Sequence, residues 1–64
     1  MFRLKEIRKK KSMSQQELAD YLGVTQATLS GWENEKYEPT ASNIIAVAKF
    51  FNISIDDLLL NKLI

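Results

Sequence analysis

One ten-residue run, Thr25-Gln26-Ala27-Thr28-Leu29-Ser30-Gly31-Trp32-Glu33-Asn34, mixes three kinds of chemistry. It carries hydroxyls (Thr25, Thr28, Ser30), carboxamides (Gln26, Asn34) and the apolar pair Leu29 and Trp32. Leu29 and Trp32 stand three apart, a helical spacing. Hydroxyl residues compete with helical hydrogen bonds, and an interior glycine costs about 0.5–1 kcal/mol against alanine. A helix here leaves one small polar face: Ala27, Ser30, Gly31 and Asn34, at i, i+3, i+4 and i+7, with Gln26 at its leading edge.

Catalysis is not what these residues suggest. The chain has no His and no Cys. That removes the commonest general base, thiolate metal sites and disulfides. No nucleophile–base set, phosphate loop or metal-ligand cluster is recognisable, so neither enzyme activity, a cofactor nor a metal is expected. Asp56 and Asp57 read as charges at a helix start. Charge is unevenly spread: residues 1–11 carry six cations against Glu6, whereas residues 12–64 carry a net charge of −4. Such asymmetry hints at a polyanionic partner.

The elements that must position the polar face follow from local signals. A first helix over about residues 2–11 has Leu4, Ile7 and Phe2 as its apolar stripe, and Ser12-Met13 breaks it. Ser14-Gln15-Gln16-Glu17 is a capping box that opens helix 2. Leu18, Ala19, Tyr21 and Leu22 form its expected inner face, and Gly23 ends it. Thr25 caps helix 3, which runs to about Asn34. Residues 35–39 form a loop. Helix 4 starts near Thr40, Asn52-Ile53 connects, and Ser54 caps helix 5. The expected fold is an all-α, compact five-helix single domain over residues 1–64. No apolar run approaches a membrane span, and a cytoplasmic location is expected.

Ala19, Gly23, Leu29 and Trp32 fall at offsets 0, 4, 10 and 13. Small Ala19 lets helix 3 approach helix 2, Gly23 makes the tight turn, and the two large residues fill the wedge. That spacing is a helix–turn–helix. Q-Q-E-L-A-D-Y-L-G-V-T-Q-A-T-L-S-G-W-E-N resembles the corresponding segment of the phage repressor and Cro (XRE) family. The likeness continues through E-P-T and I-I-A-V-A-K-F-F-N-I-S-I-D-D-L-L, and covers roughly residues 3–60.

The resemblance implies a DNA-binding regulator whose third helix enters the major groove. Gln26, Ala27 and Thr28 match leading positions of the recognition helix, and Ser30 is a further candidate base contact. A glutamine there can pair with adenine N6 and N7, and a methyl of Ala27 or Thr28 can pack on thymine. Gln15 and Asn34 match phosphate-contacting positions, and Lys36 and Lys11 are expected to add backbone contacts. Arg8 and Glu33 match a pair that bridges helix 1 to helix 3. Two features depart from the pattern. The family usually places Gly where Glu35 stands, and residues 24–38 sum to −2. Weak monomer binding is therefore expected, pointing to a homodimer. Phe50, Leu59, Leu60, Leu63 and Ile64 supply its expected apolar interface. The partner the resemblance implies is double-stranded DNA, with neither a membrane nor a small-molecule ligand evident. An antitoxin-like protein-interaction module reusing the same fold is the alternative; the acidic 24–38 region and the apolar carboxyl end motivate it.

Overall fold

The computed structural model describes residues 3–36 and 38–59. Five helices follow in order: α1 (Leu4–Lys10), α2 (Gln15–Leu22), α3 (Gln26–Glu33), α4 (Ala41–Phe51) and α5 (Ile55–Leu59). No strand occurs among the described residues. None of the described helices is long and apolar enough to cross a membrane. Side-chain oxygens start four of the helices. Ser14 Oγ accepts from the Glu17 N–H at 3.0 Å, and Glu17 Oε1 accepts from the Ser14 N–H at 2.8 Å. Thr25, Thr40 and Ser54 each accept from the N–H three residues on, at 3.0, 3.3 and 2.9 Å. Each satisfies a donor that the helix itself leaves free.

The core draws on every helix. Leu4 and Ile7 (α1), Leu18 and Ala19 (α2), Leu29 and Trp32 (α3), Val47, Ala48 and Phe51 (α4) and Leu58 (α5) form one buried cluster. α3 packs across α2, and α4 packs against α2 and α5. Ala19 is fully buried, and its small side chain is what allows α2 and α3 to meet closely. Tyr21 departs from its expected place. It is 70% exposed, because α2 turns Leu18, Ala19 and Leu22 inward and leaves position 21 on the flank. Its ring instead lies over Phe50, with centroids 4.2 Å apart. α5 is short but fixed at both faces. Leu58 is fully buried, and Arg3 donates its backbone N–H to Leu58 O at 2.9 Å and Nη1 to Asp57 O at 2.8 Å.

Four helices end the same way. Ser12, Gly23, Glu35 and Asn52 all have left-handed φ, at 58°, 75°, 60° and 56°. Around each, paired bonds close a Schellman motif: Met13 N–H to Arg8 O, Val24 to Ala19, Lys36 to Gly31, and Ile53 to Ala48. Met13, Val24 and Ile53, just after the left-handed residue, then pack on the core. Only one of the four left-handed residues is glycine. Glu35 therefore takes the left-handed conformation, which costs a side-chain-bearing residue about 1–2 kcal/mol. Glu35→Gly removes that strain but frees the unfolded chain, returning about 0.5–1 kcal/mol. The expected net gain is about 1 kcal/mol, or roughly 4–8 °C in Tm for a domain of this size. A thermal melt checks it, and an unchanged or lower Tm would refute the strain.

Candidate nucleic-acid interface

α3 is two-faced. Leu29, Gly31 and Trp32 are buried, while Gln26, Ala27 and Asn34 are exposed and Ser30 is half-buried. On a helical wheel Gln26, Ala27, Ser30 and Asn34 fall within one arc, so the short polar strip is a surface. Gly31 is a correction to the expected strip: it lies on the packed side. On the wheel it falls between exposed Ala27 and half-buried Thr28, and its carbonyl accepts from the Lys36 N–H at 2.9 Å. The Thr28 hydroxyl accepts from Thr25 Oγ1 at 2.9 Å. Asn34 Nδ2 donates to Ser30 Oγ at 3.2 Å, joining two residues of the strip.

A hydrogen-bond chain links the last residue of α3, Glu33, to its first, Gln26, by way of α2. Arg8 forks onto Glu33, Nε to Oε2 at 2.7 Å and Nη2 to Oε1 at 3.0 Å, and gives Nη1 to Met13 O at 2.7 Å. The two side chains are only 9% and 1% exposed. Glu33 Oε1 also accepts from Gln15 Nε2 at 2.9 Å. Gln15 Oε1 in turn accepts from Gln26 Nε2 at 3.3 Å. Charged and amide groups from α1, α2 and α3 are thus joined, and the chain surfaces at Gln26. The sequence placed Gln15 and Gln26 separately against DNA and gave no signal for the Gln15–Glu33 bond, which spans 18 positions.

The electrostatics follow from this burial. Burial alone pushes the Glu33 carboxyl up. The hydrogen bonds from Arg8 and Gln15, with the positive charges of Arg8 and Lys5, outweigh it and hold the carboxyl below its ordinary value. The hydrogen bond to Glu33 holds the Arg8 guanidinium above its ordinary value, against the opposing effect of burial.

The remaining candidates lie around this centre. Lys11 and Lys36 are exposed, and so are the acids Glu35 and Glu38. Among the apolar candidates, Phe50 is half-buried against Tyr21 and Phe51, and Leu59 is 38% exposed. Leu60, Leu63 and Ile64 lie outside the described residues. Ile45 and Ile55, 43% and 41% exposed, add apolar surface on α4 and α5 beyond the interface residues expected from sequence.

Comparison with known proteins accords with this geometry. A family model described as helix-turn-helix matches residues 4–58. The HTH-type transcriptional activator BcrR of Enterococcus faecalis is 35% identical over 57 residues, covering 89% of this chain and 28% of that protein. An uncharacterised HTH-type transcriptional regulator of Archaeoglobus fulgidus is 39% identical over 56 residues, covering 88% of this chain and 79% of that protein. The HTH-type transcriptional regulator AnsR of Bacillus subtilis is 39% identical over 57 residues, covering 89% of this chain and 49% of that protein. The chain therefore spans 28% of BcrR and about half of AnsR.

Proposed function

Because the chain belongs to the Cro/C1-type helix-turn-helix family, we propose that it is a sequence-specific, non-catalytic DNA-binding regulator in the cytoplasm. The observation that carries this reading is the exposed strip of Gln26, Ala27, Ser30 and Asn34 on a helix wedged against α2. Those side chains are short enough to let α3 lie deep in a major groove, and Gln26 and Ala27 offer an amide and a methyl to base edges. Thr28, on the flank, is an edge contact through its methyl. Gln15 at the start of α2, with Asn34, Lys36 and Lys11, supplies backbone contacts.

One such strip reads few bases, and the exposed acids Glu35 and Glu38 oppose phosphate. The reading therefore includes a homodimer on a near-palindromic operator, its half-sites about one helical turn (roughly 34 Å) apart. The exposed Ile45, Ile55 and Leu59, with Phe50, support an interface on the outer side of α4 and α5. Repression is the proposed output, since occupying an operator needs no surface beyond the reading face. BcrR is named an activator, so a promoter–reporter fusion decides the sign.

Selection of bound sequences from a random DNA pool tests the whole reading. A near-palindromic motif supports it. Equal, very weak binding to all sequences overturns it in favour of the protein-interaction module. With the motif in hand, Gln26→Ala is expected to relax one base position per half-site, at about 1–3 kcal/mol. Lys36→Ala should weaken all sequences evenly and flatten the salt dependence.

A further inference from the structure

We infer that α1 is a strut that fixes the half-site spacing of the operator, with Arg3 tying its start to α5 and Arg8 tying its last turn to the reading helix α3. The inference rests on the homodimer and the reading helix proposed above. Arg3 donates its backbone N–H to Leu58 O at 2.9 Å and Nη1 to Asp57 O at 2.8 Å. Its Nε and Nη2 donate to Glu6 at 3.3 and 3.4 Å, which steadies the guanidinium. Further along the same helix, Arg8 forks onto Glu33, the last residue of α3. The two arginines are separated by about 7.5 Å of helix rise, too short a length to bend. Among the described residues, α1 with Arg3 at its start is the one helix hydrogen-bonded to both α3 and α5.

α5 depends on that tie. It has 5 residues, too few to persist as a helix without outside contacts. The last carbonyls of a helix lack partners within it, and Arg3 takes those of Asp57 and Leu58. A cation there also suits the negative end of the helix. Leu58 anchors α5 in the core, but one buried side chain is a pivot and leaves rotation about the helix axis open. Ile55 and Leu59, one turn apart, form the exposed apolar edge of α5. Arg3 stops the rotation and holds this edge in place relative to α1, while Arg8 holds α3 relative to the same helix. The other route between them, through α4 and α2, is apolar packing. In a two-fold dimer any slack enters twice, once in each subunit. One base pair more or less turns a half-site by about 34–36° and moves it by about 3.4 Å. A rigid strut feels that change, and a loose one absorbs it. Arg3 is thus a positioning residue for operator spacing.

The test measures affinity for the selected operator, for versions with one base pair inserted or removed between the half-sites, and for an isolated half-site. The native dimer must deform the altered DNA, so it should bind those versions at least about fivefold more weakly. Arg3→Met keeps the backbone bond and an unbranched stem but removes the guanidinium. Its ratio of selected-spacing to altered-spacing affinity should fall about two- to fivefold toward unity. Its affinity for the isolated half-site should stay as in the native chain, because Arg8 still holds α3. Lys10→Met takes the same charge from the other end of α1 and should leave the ratio unchanged. Sedimentation of each protein on each operator shows whether it binds as a dimer. An unchanged ratio in Arg3→Met overturns the inference, and so does an equal fall in Lys10→Met. A ratio lost because Arg3→Met binds as independent monomers overturns it as well. If the native chain itself binds every spacing equally, the homodimer reading fails, and that outcome is distinct from a native ratio that Arg3→Met leaves intact.

Discussion

Arg8→Ala is expected to destabilise the fold by about 3–5 kcal/mol, the usual result of removing one partner from a buried ion pair. Domains hold about 0.05–0.15 kcal/mol per residue, so a chain of this length has roughly 3–10 kcal/mol in all. Losing Arg8 consumes from about a third to all of that. The reason is what remains: a Glu33 carboxylate 1% exposed, with Gln15 as its one other hydrogen-bond donor among the described residues. Met13 O also loses its 2.7 Å donor. The pair itself is a different quantity, since apolar residues of similar volume often replace such pairs at no cost. The double variant Arg8→Met/Glu33→Leu should then unfold in urea near the native midpoint while Arg8→Ala unfolds far earlier. In DNA binding the order differs: the double variant has nothing to orient Gln15, a candidate backbone contact, and loses affinity with its fold intact. A cost below about 1 kcal/mol for Arg8→Ala would show that water reaches Glu33 and that the pair behaves as a surface contact.

The same pair gives the fold a pH dependence of definite sign. Glu33 titrates lower in the folded chain than in the unfolded one, because its partners outweigh burial. The unfolded state therefore binds the proton more readily, and acid favours unfolding. The contribution is fully present above the ordinary glutamate value of about 4.3 and is lost as pH falls below it, through the folded value. Urea midpoints measured between pH 7 and pH 3 should fall on the acid side, less steeply in Arg8→Met/Glu33→Leu. Equal slopes in the two proteins would assign the acid sensitivity to other carboxylates.

Local and long-range information were not equally legible. Ser14, Thr25, Thr40 and Ser54 were readable as helix starts because a cap acts within three residues, and Gly23 as a stop because its φ is written in its type. The helix–turn–helix followed from several spacings that agree, those of Ala19, Gly23, Leu29 and Trp32. The left-handed Ser12 and Asn52 were not legible from their types, and Glu35 was marked only by the glycine the family places there; the paired bonds around each one decide. Gly31 and Tyr21 were misplaced for a related reason. A helix wheel gives angles between residues, but which arc is covered depends on neighbours far along the chain. α3 is buried over a broader arc than Leu29 and Trp32 define, extending to Gly31. α2 is buried over a narrower one, which leaves Tyr21 outside. The Gln15 bond to Glu33 needed α2 and α3 already docked, so only the fold reveals it.

Leu29→Ala is expected to cost about 2–5 kcal/mol, comparable with the loss of Arg8. α3 is eight residues long, well short of the roughly 12–15 at which an isolated helix becomes even marginal in water. Its position comes from what its inner side touches, and Leu29 is fully buried there. Trp32, the only tryptophan and 3% exposed, reports the outcome: its emission should shift to the red in the fraction of molecules that open. Leu29→Met, which nearly conserves volume, should cost less than about 1.5 kcal/mol and serves as the control. DNA affinity should fall in Leu29→Ala only as far as the folded fraction falls, because no groove-facing side chain has changed. Glu35→Gly separates this loss from a loss of reading. Measured against Glu35→Gly alone, which also removes an acid that opposes phosphate, the combination should lose less affinity than Leu29→Ala loses from the native chain, because more molecules fold, whereas the base preference lost in Gln26→Ala should stay lost. If Leu29→Ala costs less than about 1 kcal/mol, or if Glu35→Gly restores stability without restoring affinity, the wedge between α2 and α3 is not what holds the reading face in place.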